Sequence, residues 1–91
     1  MHKFFSSENT ILKVQRGNFY YKQKDYNHAV EDYTRAIELS PKLNKSYFSS
    51  RGQAYEELGE YEKALADYEK AFANTETAKR IRQRILDKMK K

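Results

Sequence analysis

Residues 17–36 read GNFYYKQKDYNHAVEDYTRA, and residues 52–71 read GQAYEELGEYEKALADYEKA. Gly17, Tyr20, Tyr26, Ala29, Tyr33 and Ala36 thus return as Gly52, Tyr55, Tyr61, Ala64, Tyr68 and Ala71, each 35 residues on. Six like-for-like returns at one offset predict two copies of a helical hairpin stacked side by side. One hairpin cannot bury its own apolar face, so each copy leans on its neighbour, and stacking leaves a groove. That spacing directs attention to recognition rather than catalysis.

Working outward, the first helix is predicted from Ser7 or Asn9 to about Lys22. Ile11, Val14, Phe19 and Tyr20 sit near helical spacing, and Glu8 suits an N-terminal dipole. Lys24-Asp25 makes a tight corner. A second helix from about Tyr26 carries Ala29, Val30, Tyr33, Ala36, Ile37 and Leu39 largely on one stripe. Ser40-Pro41 stops it, because proline disfavours the α conformation in the residue before it.

In the second copy, a helix from Asn44 or Lys45 to Leu58 carries Tyr47, Phe48, Ala54, Tyr55 and Leu58. Gly59 is expected in the left-handed conformation that ends it. Its partner runs from about Glu60 to Ala73 and presents Ala64, Leu65, Tyr68, Ala71 and Phe72. Gly17 and Gly52 fall inside helices, where glycine costs up to about 1 kcal/mol relative to alanine. Because both copies bear that cost, a packing reason is expected: the absent Cβ lets the hairpin's helices approach. A last helix spans about Thr75 to Lys90, capped by Thr75 or Thr77. It gathers Ala78, Ile81, Ile85 and Met89 on one side, with Arg80, Arg84, Asp87 and Lys91 roughly opposite. Five helices and no strand are expected.

Composition agrees with a small helical domain. Of 91 residues 38% are hydrophobic and 34% charged, which is neither a disordered nor a membrane-spanning composition. No apolar run approaches the roughly 18 residues needed to cross a bilayer. The start, MHKFFSSE, lacks a long apolar stretch and a small-residue cleavage site, so no signal peptide is expected. Without cysteine there is no disulfide framework or thiolate metal site, and cytoplasmic residence is the default. The net charge of +5 is local: residues 79–91 hold seven Lys/Arg against one acid, +6, and residues 1–78 hold eleven against twelve, −1.

The spacing of Gly17, Tyr20, Lys24, Tyr26, Ala29, Tyr33, Ala36 and Pro41 resembles that of tetratricopeptide repeat proteins. So does that of Gly52, Tyr55, Leu58, Gly59, Tyr61, Ala64, Tyr68 and Ala71. The resemblance implies an all-α, right-handed superhelix of two hairpins plus a C-terminal capping helix. Residues 1–8 would be an N-terminal segment, mobile or packed on the first helix. Residues 9–43 would form repeat one with its connection, 44–74 repeat two, and 75–91 the basic cap. Three departures stand out. The copies are 35 rather than 34 residues apart, implying one extra residue in the connection from Pro41 to Asn44. Lys24 stands where the family has a turn glycine. Lys13 and Arg16 replace aromatic and leucine packing residues, so the first helix's outer flank reads as weakly specified, with Phe4 or Phe5 available to cover it.

The resemblance also implies a ligand: a peptide along the concave face of the first helices. Its lining would draw on Ile11, Val14, Gln15, Asn18, Tyr21 and Lys22, then Ser46, Ser49, Ser50, Gln53, Glu56 and Glu57, with Arg80, Gln83, Arg84 and Asp87 from the cap. This set suits a short polar or acidic peptide. The co-chaperone subgroup clamps a C-terminal carboxylate with lysine, asparagine, asparagine, lysine and arginine. Those positions fall here on Val14, Asn18, Ser50, Arg80 and Arg84, so the first lysine is missing and equivalence with that clamp does not follow. The expected peptide-binding residues are Asn18, Tyr21, Lys22, Ser49, Ser50, Gln53, Arg80 and Arg84.

The function expected is therefore a non-catalytic adaptor or scaffold for a protein or peptide segment, acidic or C-terminal. The alternative is self-association into a homo-oligomer through outer or terminal surfaces. The repeated tyrosines are expected in the core rather than against bases. The cations of residues 79–91 are read first as a solvated face, then as a contact for an acidic segment or lipid. Nucleic acid is disfavoured because the rest of the chain offers no extended basic footprint. No cofactor, metal or catalytic residue is expected: His2 and His28 form no HExxH pair, and no glycine-rich phosphate loop is present.

Overall fold

The structure, a computed structural model, describes the backbone of residues 2–40 and 44–90 and the side chains of residues 9–40 and 44–90. Five helices follow one another: α1 (His2–Lys22), α2 (Tyr26–Leu39), α3 (Lys45–Glu57), α4 (Tyr61–Phe72) and α5 (Glu76–Met89). No strand occurs among the described residues. α1 pairs with α2 and α3 with α4, α2 stacks on α3, and α5 closes the far end against α4. The expected all-α architecture of two hairpins and a cap is present.

α1 begins at His2, earlier than the start expected at Ser7 or Asn9. Neither residue acts as a cap; each is carried inside the helix, where serine and asparagine cost only tenths of a kcal/mol. No proline or glycine interrupts the chain before Gly17. The side chains of Phe4 and Phe5 and the connection 41–43 lie outside the described residues.

The other boundaries follow their caps. Asp25 accepts the His28 N–H ahead of α2, Asn44 accepts those of Ser46 and Tyr47 ahead of α3, and Thr75 accepts that of Ala78 ahead of α5. Ser40 is extended at ψ 128°, as the residue before a proline should be. Lys24 and Gly59 occupy equivalent corners and both take positive φ, 64° and 77°. In each corner the next amide reaches back to a tyrosine carbonyl, Asp25 to Tyr20 and Glu60 to Tyr55, both at 2.9 Å.

Ala29, Tyr33, Ala36, Ala64, Tyr68 and Ala71 are all buried. Tyr33 packs with Ala29 and Ala54, and Tyr68 with Ala64 and Ile85. Ile85 of the cap therefore stands where Ala54 of α3 stands in the first cluster. Tyr20, Tyr26, Tyr55 and Tyr61 are half-buried rather than enclosed. A Cβ on Gly17 would lie 2.8 Å from Cε1 of Tyr33, and one on Gly52 would lie 3.1 Å from Cε1 of Tyr68. Each helical glycine accepts a tyrosine ring. On α5, Ala78 and Ile85 are buried and Ile81 half-buried, but Met89, expected on the same apolar side, stays 43% exposed.

Arg16, which stands at a packing position of the family, makes a polar contact inside the first hairpin. Its Nε and Nη2 donate to the two oxygens of buried Asp32, both at 2.8 Å. Arg51 does the same to buried Asp67 at 2.8 Å, and its Nη1 reaches Thr34 Oγ1 at 3.1 Å. The pair fastens each hairpin internally, and Arg51 also ties α3 to α2. Arg16 and Asp32 return as Arg51 and Asp67 at the same offset of 35, a signal present in the sequence beside the aromatic and alanine returns.

Candidate functional site: a groove between the first helices and the cap

Helical spacing collects one face from each of three elements. Ser49, Gln53, Glu56 and Glu57 project from α3, Tyr68 and Phe72 from α4, and Ile81, Arg84 and Lys88 from α5. With Tyr21 at the end of α1 they line a groove of about 350 Å³. Phe72, Ile81 and the tyrosine rings give it an apolar floor, while amide, hydroxyl and charged groups ring the mouth.

Charge is concentrated on Glu56. Its Oε1 accepts from Arg84 Nη2 at 2.6 Å and from the Tyr68 hydroxyl at 2.9 Å, and its Oε2 accepts from Lys88 Nζ at 2.6 Å. Burial pushes the carboxyl up, but hydrogen bonds from Lys88 and Tyr68 and the charges of Arg84 and Lys88 outweigh it, so Glu56 is lowered overall. Tyr68 is raised, first by burial and then by its bond to Glu56. Tyr21 is raised by burial, with Glu57 and Glu56 adding to it. Among the described residues Glu57 makes no ion pair.

Tyr21, Ser49, Gln53 and Arg84, expected as peptide contacts, are brought together here. Asn18 and Lys22 line a separate cleft of about 300 Å³ on α1 with Gln15 and Phe19. The Asn18 carboxamide is partly engaged, since its Oδ1 accepts the Tyr33 hydroxyl at 2.5 Å. Burial raises Tyr33 to about 12. Ser50 is half-buried and Arg80 exposed, and neither lines the groove. Lys88, Phe72 and Ile81 join the site without having been expected, and Glu56 has the added task of holding two cations.

The basic run of α5 is less free than its local charge of +6 implied. Arg82 pairs with Glu69 at 2.8 Å, Lys79 approaches Glu76 at 3.7 Å, and Arg84 and Lys88 share Glu56. Counting charge along the chain overlooked acids that α3 and α4 supply across the fold. No group of three or more His, Cys, Asp or Glu that could hold a metal occurs among the described residues, nor is any helix there long and apolar enough to cross a membrane.

The human protein "DnaJ homolog subfamily C member 7" is 45% identical over 47 residues, covering 52% of this chain and 9% of that protein. "Hsp70-Hsp90 organizing protein 3" of Arabidopsis thaliana is 47% identical over 45 residues, covering 50% and 8%. "Translocon at the outer membrane of chloroplasts 64" of Pisum sativum is 44% identical over 50 residues, covering 55% and 8%. The chain thus spans under a tenth of the length of these relatives. A solved structure, the "Arabidopsis OM64 TPR domain", aligns over 91% of this chain and 98% of its own, at 24% identity and a TM-score of 0.43. The tetratricopeptide repeat family model matches residues 13–43 and 46–73, the two hairpins in turn, and the chain belongs to the tetratricopeptide repeat family.

Proposed function

We propose that this chain is a cytoplasmic adaptor module that grips a short polar or acidic peptide of a partner protein in the groove between α1, α3 and α5. The observation that carries this reading is the convergence of Tyr21, Ser49, Gln53 and Arg84 over an apolar floor. Gln53 and Ser49 supply hydrogen bonds suited to peptide backbone, Tyr21 an edge to pack against, and Arg84 a cation for a carboxylate. Asn18 and Lys22 extend the track along α1, with Ser50 and Arg80 at its margins. A relative named for organising Hsp70 and Hsp90 fits an adaptor role.

A peptide-array screen on the native chain beside Gln53→Ala/Arg84→Ala and Arg80→Ala variants tests it. Loss of partners by the double variant, with Arg80→Ala retaining them, is the expected result. A folded double variant that keeps every partner at unchanged affinity refutes the groove reading.

A second reading, self-association, has one observation in its favour. Ile11, Leu12 and Phe19 of α1 are 53%, 61% and 57% exposed, and Leu12 and Phe19 lie seven residues apart on one stripe.

A further inference from the structure

Glu56 sits where a ligand's carboxylate would be received. Its side chain is only 8% exposed, whereas those of Arg84 and Lys88 are 51% and 44% exposed. Three donors from two helices converge on its two oxygens, the geometry by which a protein holds a bound anion. A dissolved anion can approach the two cations from the open side of the groove, but finds them already bridged.

Nothing in the hairpin's own packing requires an acid at this position. Its equivalent 35 residues earlier is Tyr21, and there the Tyr33 hydroxyl turns to Asn18 instead. Gln53 is the equivalent of Asn18, yet the Tyr68 hydroxyl passes it by and donates to Glu56. The two repeats agree in their alanines, tyrosines and arginine–aspartate pairs, but the paired tyrosine hydroxyls go to different partners. Such a departure from an otherwise kept pattern marks a place shaped by function.

Building on the peptide-groove reading, we propose that Glu56 is the groove's specificity-determining residue, an internal carboxylate that occupies Arg84 and Lys88 and must be displaced before a peptide carboxylate binds there. A tethered carboxylate acts at an effective concentration of order mM or more, so a dilute acidic peptide competes poorly. Its apparent affinity is the intrinsic affinity multiplied by the fraction of time Glu56 is swung aside. A neutral polar peptide that uses Ser49, Gln53 and Tyr21 makes no such demand. The resting groove therefore selects against carboxylates unless additional contacts offset the displacement.

The test uses two acetylated probes, Gly-Ala-Ser-Asp-Asp with a free C-terminus and Gly-Ala-Ser-Asn-Asn amide. Both are titrated by calorimetry and amide NMR into the native 91-residue chain, Glu56→Gln and Glu56→Gln/Arg84→Gln/Lys88→Gln. Glutamine keeps an oxygen for the Tyr68 hydroxyl, and Glu56→Asp, which retains the charge but withdraws it by one methylene, serves as a second variant. Glu56→Gln should bind the acidic probe at least fivefold more tightly, with the neutral probe unchanged within twofold. Glu56→Asp should show a smaller gain, and the triple variant none. An acidic-probe affinity unchanged or weakened in both single variants overturns the proposal. If the neutral probe still shifts Ser49 and Gln53 in that case, the groove reading survives alone; if neither probe shifts them in any variant, both fail.

Discussion

The Tyr68 hydroxyl donates to Glu56 across 2.9 Å, joining the buried ring that fills the Gly52 notch to the carboxylate that holds the cap. Through that bond the core of the second hairpin and the α5 cations form one network. Only Ala78, Ile81 and Ile85 anchor α5 by apolar contact among the residues buried or half-buried on it, so the network has weight in keeping the groove's far wall in place.

Acid should loosen that wall. Glu56 is lowered from an ordinary value of 4.5 in the folded chain, so the folded state holds its carboxylate more strongly than the unfolded chain does. The resulting stability is fully present above about pH 4.5 and is lost as pH falls through the lower folded value. Amide exchange of α5 should accelerate in that window before that of α2 does. Glu56→Gln should cost about 1–2 kcal/mol at neutral pH and flatten the acid dependence of α5. Equal acid sensitivity of α5 in the variant and the native chain would rule this out.

The two arginine–aspartate pairs should differ in consequence. Arg51 is largely enclosed, its side chain 17% exposed, and its loss leaves Asp67 buried and without its bidentate partner. Arg51→Ala should therefore cost about 3 kcal/mol in urea unfolding. Arg16→Ala removes a more exposed partner, 54% at the side chain, and water can replace it at Asp32. It should destabilise by clearly less. The reverse order would mean that Arg51's enclosure and its bond to Thr34 are not what sets the cost.

Gly17 and Gly52 make a paired test of the notch. An alanine at 17 meets the Tyr33 ring at 2.8 Å, and that ring is both buried and tethered to Asn18. Overpacking should outweigh the helix-propensity gain, for a net loss of about 1–3 kcal/mol. At 52 the nearest ring atom is 3.1 Å away, so Gly52→Ala should sit near neutral. Thermal melts of the two variants decide the order, and Gly17→Ala melting at or above the native chain would contradict it.

Lys24 and Gly59 show how far a sequence can be read locally. The Lys24 corner was legible because the family resemblance places a turn glycine there, and Gly59 takes the same conformation in the second copy. Lys24→Gly should stabilise by about 0.5–1 kcal/mol, the relief at φ 64° exceeding the entropy glycine adds to the unfolded chain. A lower melting temperature for that variant would show the lysine side chain has a compensating contact. The groove was only half legible by comparison. Tyr21, Ser49, Gln53 and Arg84 were expected because the family resemblance says which face of the first helices and cap is concave. That Glu56 would reach Lys88, 32 residues away, depends on how α5 docks, and no local pattern carries that. The Arg16–Asp32 and Arg51–Asp67 pairs lay in between, visible as repeats but not as contacts.

Self-association is the last outcome to separate, because it would use a face distinct from the groove. Leu12 and Phe19 stand on the side of α1 opposite Thr10 and Gly17, which are buried. Their equivalents in α3 are Tyr47 and Ala54, and Ala54 is fully buried against α2's Ala29 and Tyr33. The α1 stripe is thus the repeat-stacking face without a neighbour among the described residues. Its flanking cations oppose close approach of two like faces: Lys13 and Lys22 make no ion pair among the described residues, whereas Arg16 is paired with Asp32. A monomer is therefore expected in dilute solution at low salt, with association rising as salt screens the lysines. Light scattering across a concentration series at two ionic strengths reads this directly. Leu12→Ser/Phe19→Ser should abolish any salt-induced mass increase, while the Ser49 and Gln53 amides of the groove still shift on adding peptide. A dimer of constant mass that survives the double substitution would place the interface elsewhere.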